Sequence, residues 1–197
     1  MQCGGRTGKF LIAMSQATQQ PYVTAEQLES LHLPDASAEL VRGQLLVREP
    51  PSTRHGRVQA NLQYHVTVYV RRTNAGYVFG QDTGFKLRSN PDTVRGPDLA
   101  FVSSDREADL PDRGFAELAP DLIAEILSPG DRPGEMLSRV GDFLEAGTKL
   151  VWVIDPERRE ATVYRSDGSV GHVGPDGDFD GEPILPGFLC PLAEIFV

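Results

Sequence analysis

A chain of 197 residues with 40 % hydrophobic and 24 % charged side chains has an ordinary soluble composition and enough length for one sizeable core. No apolar run approaches the roughly 20 residues that span a bilayer, which excludes a membrane-crossing helix and a membrane partner. A net charge of −9 excludes a surface uniformly coated for DNA.

Lys9 followed by Phe10–Met14 is too short for a signal peptide, so residues 1–20 are expected to be a disordered extension with Met14 an alternative start. Residues 21–197 then form a single domain. Thr24 reads as a helix N-cap, with Gln27 completing a capping box, and the short helix stops before Pro34. Ala38–Val41 and Gln44–Val47 flank Arg42-Gly43, the pattern of a hairpin with a two-residue turn. Residues 54–72 read as a long helix, with Val58, Leu62, Val66 and Tyr69 at helical spacing and His55 on the same side near its start. Asn74-Ala75-Gly76 ends it.

Tyr77–Phe79 and Gly84–Leu87 read as strands with a turn at Ser89–Asp92, and Asp82 reads as a turn residue. Leu99–Val102 and Leu122–Leu127 read as buried strands. Pro133–Ala146 is expected to be a second long helix, with Met136, Leu137, Val140, Phe143 and Leu144 on its core face and Gly147 as C-terminal cap. Leu150–Ile154, with Trp152 in the core, and Ala161–Tyr164 follow as strands. The Gly-, Asp- and Pro-rich remainder reads as a hairpin or loop, closed by Leu192–Val197. The order predicts an α/β (α+β) domain, a mixed central sheet flanked by helices, with an N-terminal hairpin.

Two acids stand out against this background. Asp98 opens one apolar strand and Glu125 lies inside the next, where an ionised, unpaired carboxylate would cost several kcal/mol. Strand alternation puts Asp121, Ile123 and Glu125 on one face, and Asp98, Ala100 and Val102 on one face of the neighbour. If the strands pair, Asp98 and Glu125 converge, either on a hard divalent cation that neutralises both or on arginine partners. Asp121 itself is most simply a strand-start residue.

Charge is also uneven. Residues 42–95 carry nine basic side chains against three acidic ones, an excess of six, whereas residues 96–197 carry eight basic against 21 acidic. The first half is the candidate for a phosphate backbone, and unequal solvated faces are the plain alternative. His32, His65 and His172 stand alone and read as structural or surface groups. The two cysteines, Cys3 and Cys190, supply no disulfide or zinc spacing, which suits a reducing cytoplasm. Gly80–Gly84 lacks the ending of a phosphate-binding loop, and no serine–histidine–acid set is defensible.

The stretches Gly96–Val102, Pro120–Pro129, Phe143–Gly147 and Val151–Pro156, with Glu39–Leu45 and Pro51–His55 upstream, resemble the Uma-two family of restriction endonuclease-like proteins over roughly residues 22–197. The resemblance implies a PD-(D/E)xK nuclease fold and hydrolysis of DNA phosphodiester bonds. It implies magnesium, with manganese as a substitute, held by Asp98, Glu125 and the Ile126 carbonyl. Glu39 would be an accessory acid. His55, near the helix start, is a candidate to bind phosphate or a metal-bound water, the plain alternative being a packed or capping-region histidine. Because such nucleases often cut both strands as symmetric pairs, a homodimer or larger homo-oligomer is expected. The chain departs from the pattern at the lysine. Leu127 occupies the strand position, and the alternative helix position is Arg139, a permanent cation that cannot serve as a base. Arg139 or Lys86 would then stabilise charge on the phosphate. That departure leaves two rival readings: a nuclease-fold binding module without turnover, and an interaction protein whose acids only form ion pairs.

Overall fold

The computed structural model describes residues 22–31 and 37–197; the expected extension at residues 1–20 and His32 lie outside them. Helix α1 (Ala25–Glu29) starts from the Thr24 capping box, whose two reciprocal hydrogen bonds with Gln27 are both made. The hairpin is β1 (Ser37–Val41) and β2 (Gln44–Arg48), turned at Arg42 and Gly43 with φ of 51° and 76°. Such a turn fits the right-handed twist of two paired strands.

Helix α2 (Thr53–Thr73) is capped by the Ser52 side chain, which accepts from the His55 N–H, and it ends at Asn74 in the left-handed conformation (φ 55°). Then come β3 (Gly76–Gly80), β4 (Phe85–Arg88), β5 (Thr93–Arg95) and β6 (Leu99–Ser103). A 3-10 turn (Ser104–Asp109) and a long connection lead to β7 (Leu122–Ile126), α3 (Pro133–Ala146) and β8 (Leu150–Asp155). The chain closes with β9 (Glu160–Arg165), β10 (Val170–Val173), β11 (Asp178–Gly181), β12 (Leu185–Pro191) and α4 (Leu192–Ile195).

The central sheet runs β10-β9-β8-β7-β6-β3, antiparallel except for the parallel β7–β8 pair that α3 connects. The hairpin belongs to a separate four-stranded sheet, β2-β1-β5-β4, and β11-β12 form a third. Two apolar layers cover the central sheet. On one face Leu99, Phe101, Leu122 and Trp152 meet Val58, Leu62, Val66 and Tyr69 of α2 together with β12 and α4. On the other face Ala100, Val102, Ile123 and Val151 meet Val140 and Phe143 of α3. The strands therefore read as continuous apolar runs because both their faces are buried.

Four expectations are corrected. Leu137 does not belong to the α3 core face: it is 54 % exposed, while Arg139 is 4 % exposed and takes a buried place beside Val140. β5 went unread because three residues carry no period. The C-terminal remainder forms one strand more than a hairpin, with β10 joining the central sheet and β11-β12 pairing with each other. Asp121 is more than a strand start. Its buried carboxylate accepts from the Ser103 N–H (3.0 Å) and hydroxyl (3.1 Å) and from Lys149 Nζ (3.0 Å), and Arg106 lies 3.2 Å away. It ties β6 to the start of β7 and β8.

Burial works against the ionised form of Asp121, but the Ser103 N–H, Lys149 and Arg106 outweigh it and hold the carboxyl below its ordinary value of 3.8. A lowered folded pKa means stability present above the unfolded value and lost as pH falls through the folded one. Asp121→Asn is therefore expected to cost about 2–3 kcal/mol at pH 7, the cost of an unsatisfied buried network. In urea unfolding series from pH 7 to pH 2, the gap between wild type and variant should close below about pH 4.

Candidate active site

The β6–β7 pairing sets the geometry. Leu99 faces Ala124, Ala100 faces Ile123 and Phe101 faces Leu122. One step further along this register stand Asp98 and Glu125. Both side chains emerge on the α3 face, at the end of the pair where the N-terminus of α2 also arrives.

Asp98 is held from two sides through one oxygen. Its Oδ2 accepts from the Ile126 N–H at 2.7 Å and lies 3.1 Å from His55 Nε2. Gln59, one turn after His55 on α2, donates to the Asp98 carbonyl at 3.0 Å. Burial disfavours the charged imidazolium of His55, but its bond to Asp98 and that residue's charge prevail, so its pKa is raised. His55 therefore favours a charged, donating ring pointed at Asp98.

Glu125 is in the opposite situation. Burial, reinforced by the nearby Asp98 charge and only partly offset by Arg139, pushes its carboxyl up to about 8. Its Oε1 lies 2.6 Å from Arg139 Nε, yet both atoms are buried without a well-formed hydrogen bond. The reason lies in the other guanidinium nitrogens. Arg139 Nη1 donates to both Glu39 oxygens at 2.7 and 2.6 Å, and Nη2 donates to the Gly96 carbonyl at 2.7 Å. The fork is aimed at Glu39, and Nε meets Glu125 obliquely.

Glu39 anchors this cation. Besides Arg139, it accepts from the Gly96 N–H at 2.8 Å and from Arg95 Nη1 at 3.0 Å. Burial alone would raise its pKa, but Arg139 and Arg95 outweigh burial and hold the carboxyl at about 2. Arg95 in turn donates to Asp142 of α3 at 2.5 and 3.1 Å. The chain Glu125–Arg139–Glu39–Arg95–Asp142 thus clamps α3 onto β1, β5 and the Gly96-Pro97 turn before Asp98. Between β5 and Asp98 the Gly96 backbone offers both a donor, to Glu39, and an acceptor, to Arg139.

The expected site residues Asp98, Glu125, Glu39, Arg139, His55 and Ile126 therefore gather at one end of the sheet. Arg139 is no solvated helix arginine. Two residues stand elsewhere. Lys86 is engaged by Glu117 at 3.0 Å and lies 4.0 Å from both Glu26 and Asp92, so it is not the cation of this cluster. Asp82 is an exposed turn residue with φ 69°. Arg95 was counted among the basic side chains free to meet a phosphate backbone, whereas it is buried. Only its place directly after the apolar Val94 hinted at this. Arg48 and Arg88 are likewise in ion pairs, with Glu39 and Glu145. Among the described residues, the basic side chains of 42–95 outside ion pairs are Arg42, Arg54, Arg57, Arg71 and Arg72, and all five are exposed.

Whether this arrangement suits a hard divalent cation can be judged from its donors. Two carboxylates converge, one of them with a buried oxygen lacking a well-formed hydrogen bond and with its pKa pushed up by burial and by the other acid. A dication supplies compensating positive charge and takes oxygen donors. The residues fit such an ion.

A family model described as "Putative restriction endonuclease" (Uma2) matches residues 25–193. No curated protein matches the chain. Among solved structures, the chain is similar to "a putative nuclease belonging to DUF820" from Anabaena variabilis ATCC 29413, with a TM-score of 0.75 and 20 % identity over 88 % of this chain and 97 % of that one.

Proposed function

Because this chain belongs to the Uma2 family, described as "Putative restriction endonuclease", we propose that it is a divalent-metal-dependent nuclease that hydrolyses DNA phosphodiester bonds. The observation that carries this reading is the convergence of two buried carboxylates, Asp98 and Glu125, from facing positions at the end of the β6–β7 pair, with a Glu125 oxygen left without a well-formed hydrogen bond. Burial and the Asp98 charge push the Glu125 carboxyl up, as suits a site completed by a cation.

Asp98, Glu125 and the Ile126 carbonyl would hold Mg2+ or Mn2+. When bound, the ion supplies Lewis-acid neutralisation of the phosphate and acidifies water. The chain's own groups do the rest. His55 and the Ile126 N–H fix Asp98 Oδ2, so the carboxylate presents its other oxygen outward. Arg139 keeps its proton at every working pH and offers its charge to the phosphate, while Glu39 fixes its orientation. Glu39 acts as a positioning residue, because its oxygens are already taken by Arg139, Arg95 and Gly96. Arg54 and Arg57, exposed on the first turns of α2 beside His55, meet the nucleic-acid backbone. A homodimer would present two such sites to the two strands.

The closeness of Arg139 Nε to Glu125 supports a second reading, a nuclease-fold binding module, since the guanidinium competes with an ion for that carboxylate. Incubating the chain with supercoiled plasmid at low salt separates the two. Magnesium- or manganese-dependent nicking that chelator abolishes supports the nuclease. Retention of DNA without nicking, across DNA and RNA substrates, supports the module.

The backbone contacts carry their own expectation. Arg54→Ala/Arg57→Ala should weaken DNA binding uniformly across sequences. It should flatten the slope of log K against log salt by about 2, one for each lost phosphate contact. An unchanged slope in a fluorescence-anisotropy salt series would remove these arginines from the interface.

A further inference from the structure

A second group of potential metal ligands converges where the end of the chain crosses α2. His65 comes from the middle of α2, Cys190 from the end of β12 and Glu194 from α4. Their imidazole nitrogen, sulfur and carboxylate oxygen all lie within 4.8 Å of one another, and His65 Nε2 is 3.3 Å from Glu194 Oε2. We propose that His65, Cys190 and Glu194 form a binding site for a zinc-class divalent transition metal, with three protein ligands and a fourth position open to solvent.

The scaffold holds the three donors in place. One turn before His65, Asn61 Nδ2 donates to the carbonyls of Ile195 (3.2 Å) and Val197 (3.0 Å), which pins α4 along α2 and sets Glu194 opposite His65. Cys190 pairs with Phe179 across β11–β12, so its side chain points inward at the floor of the group. Its only hydrogen bond among the described residues is a long one, 3.7 Å to the Pro191 carbonyl, which leaves the sulfur essentially uncommitted. Exposure rises from buried Cys190 through half-buried His65 to exposed Glu194, which gives an ion a way in from solvent.

The donor chemistry selects the ion. A thiolate disfavours magnesium and calcium, and imidazole with one carboxylate completes a set typical of zinc. Tetrahedral zinc, with bonds of about 2.0–2.3 Å, needs donors about 3.3–3.8 Å apart. Side-chain rotation of His65 and Glu194 covers the remaining distance. A histidine–glutamate ion pair at the surface needs no sulfur beside it, and a cysteine serving only as a small apolar group has no reason to meet both. Bound there, the ion cross-links α2, β12 and α4. It stands about 15 Å along the axis of α2 from His55, ten residues away, and so acts on the fold rather than on the phosphate.

The test is cobalt and zinc titration of the tag-free 197-residue chain after chelator treatment. Wild type should show a sulfur-to-cobalt charge-transfer band in the near ultraviolet, removed by stoichiometric zinc, and zinc should raise the Tm. Cys190→Ser should lose the band. His65→Ala and Glu194→Gln, both at exposed or half-exposed positions that leave the core intact, should weaken affinity about a hundredfold or more, beyond the effect of losing an outer partner. Cys3→Ser should keep the band. Absence of the band in wild type, its persistence at unchanged affinity in His65→Ala, or its loss in Cys3→Ser would each overturn the site. Cobalt held by Asp98 and Glu125 has no thiolate band and cannot imitate it.

Discussion

Arg139→Met is expected to destabilise the fold by about 3–5 kcal/mol, the cost of removing one partner from a buried charge network. The guanidinium has almost no contact with water, at 4 % exposure, and it meets Glu39, Glu125 and the Gly96 carbonyl together. Its removal leaves Glu39 with Arg95, the half-exposed Arg48 and the Gly96 N–H, and opens the seam between α3 and β1. The loss should be non-additive. Glu39→Gln weakens the same link, so the double variant should cost less than the sum of the singles by at least about 1 kcal/mol. Equilibrium unfolding in urea of the four proteins closes this cycle. If Arg139→Met cost less than about 0.5 kcal/mol, Arg139 would be an ordinary surface arginine and the clamp would not exist.

The second large effect falls on activity and spares stability. Asp98→Asn and Glu125→Gln should each lower the rate of DNA nicking by about a thousandfold or more, since each removes a ligand of the proposed ion. His55→Ala, which acts through Asp98, should lower it about ten- to a hundredfold, the range for an outer partner. Glu125→Gln should meanwhile leave the fold as stable as wild type or more so. Burial and the Asp98 charge push the wild-type carboxyl up, to about 8, so ionising it in place is costly, and an amide of the same shape avoids that cost. A site that gains stability when its functional acid is removed is being held in a costly arrangement for a ligand. Single-turnover nicking and urea midpoints on the same preparations separate the two effects. Unfolding of Glu125→Gln together with the loss of rate would instead make Glu125 a structural ion-pair partner.

Much of this arrangement was legible because the chemistry sits on strongly periodic elements. The α2 stripe of Val58, Leu62, Val66 and Tyr69 is local, and so is the conflict of an acid inside Leu122–Ile126. The antiparallel register that sets Asp98 opposite Glu125 followed once two apolar runs were paired. The partners that define the electrostatics were hidden for the opposite reason. Glu39 and Arg139 are 100 residues apart, and no local spacing encodes their bond. Arg95 and Lys86 looked like free positive charge because an ion pair across the fold leaves no trace in composition. The four ion-paired cations among residues 42–95 reduce the surface available to DNA to Arg42, Arg54, Arg57, Arg71 and Arg72. His65 and Cys190 were read apart for the same reason, since their meeting depends on how β12 and α4 return across α2.

The similarity to the solved nuclease-fold structure extends over most of both chains, yet at 20 % identity it speaks for the fold and leaves the chemistry to the residues. Those residues make a specific arrangement, with one acid held ready by His55 and Ile126, one acid short of positive charge, and a permanent cation locked between that acid and Glu39.

The measurement that tests this account most directly is calorimetric titration of magnesium into wild type and into an Asp98→Ala/Glu125→Ala double variant. Magnesium is the ion to use because thiolates bind it poorly, so Cys190 stays silent. Saturable magnesium binding by wild type that vanishes in the double variant is the predicted result. The same absence of binding in both, from proteins that unfold at normal urea midpoints, would contradict the metal site and leave Asp98 and Glu125 as members of an ion-pair network.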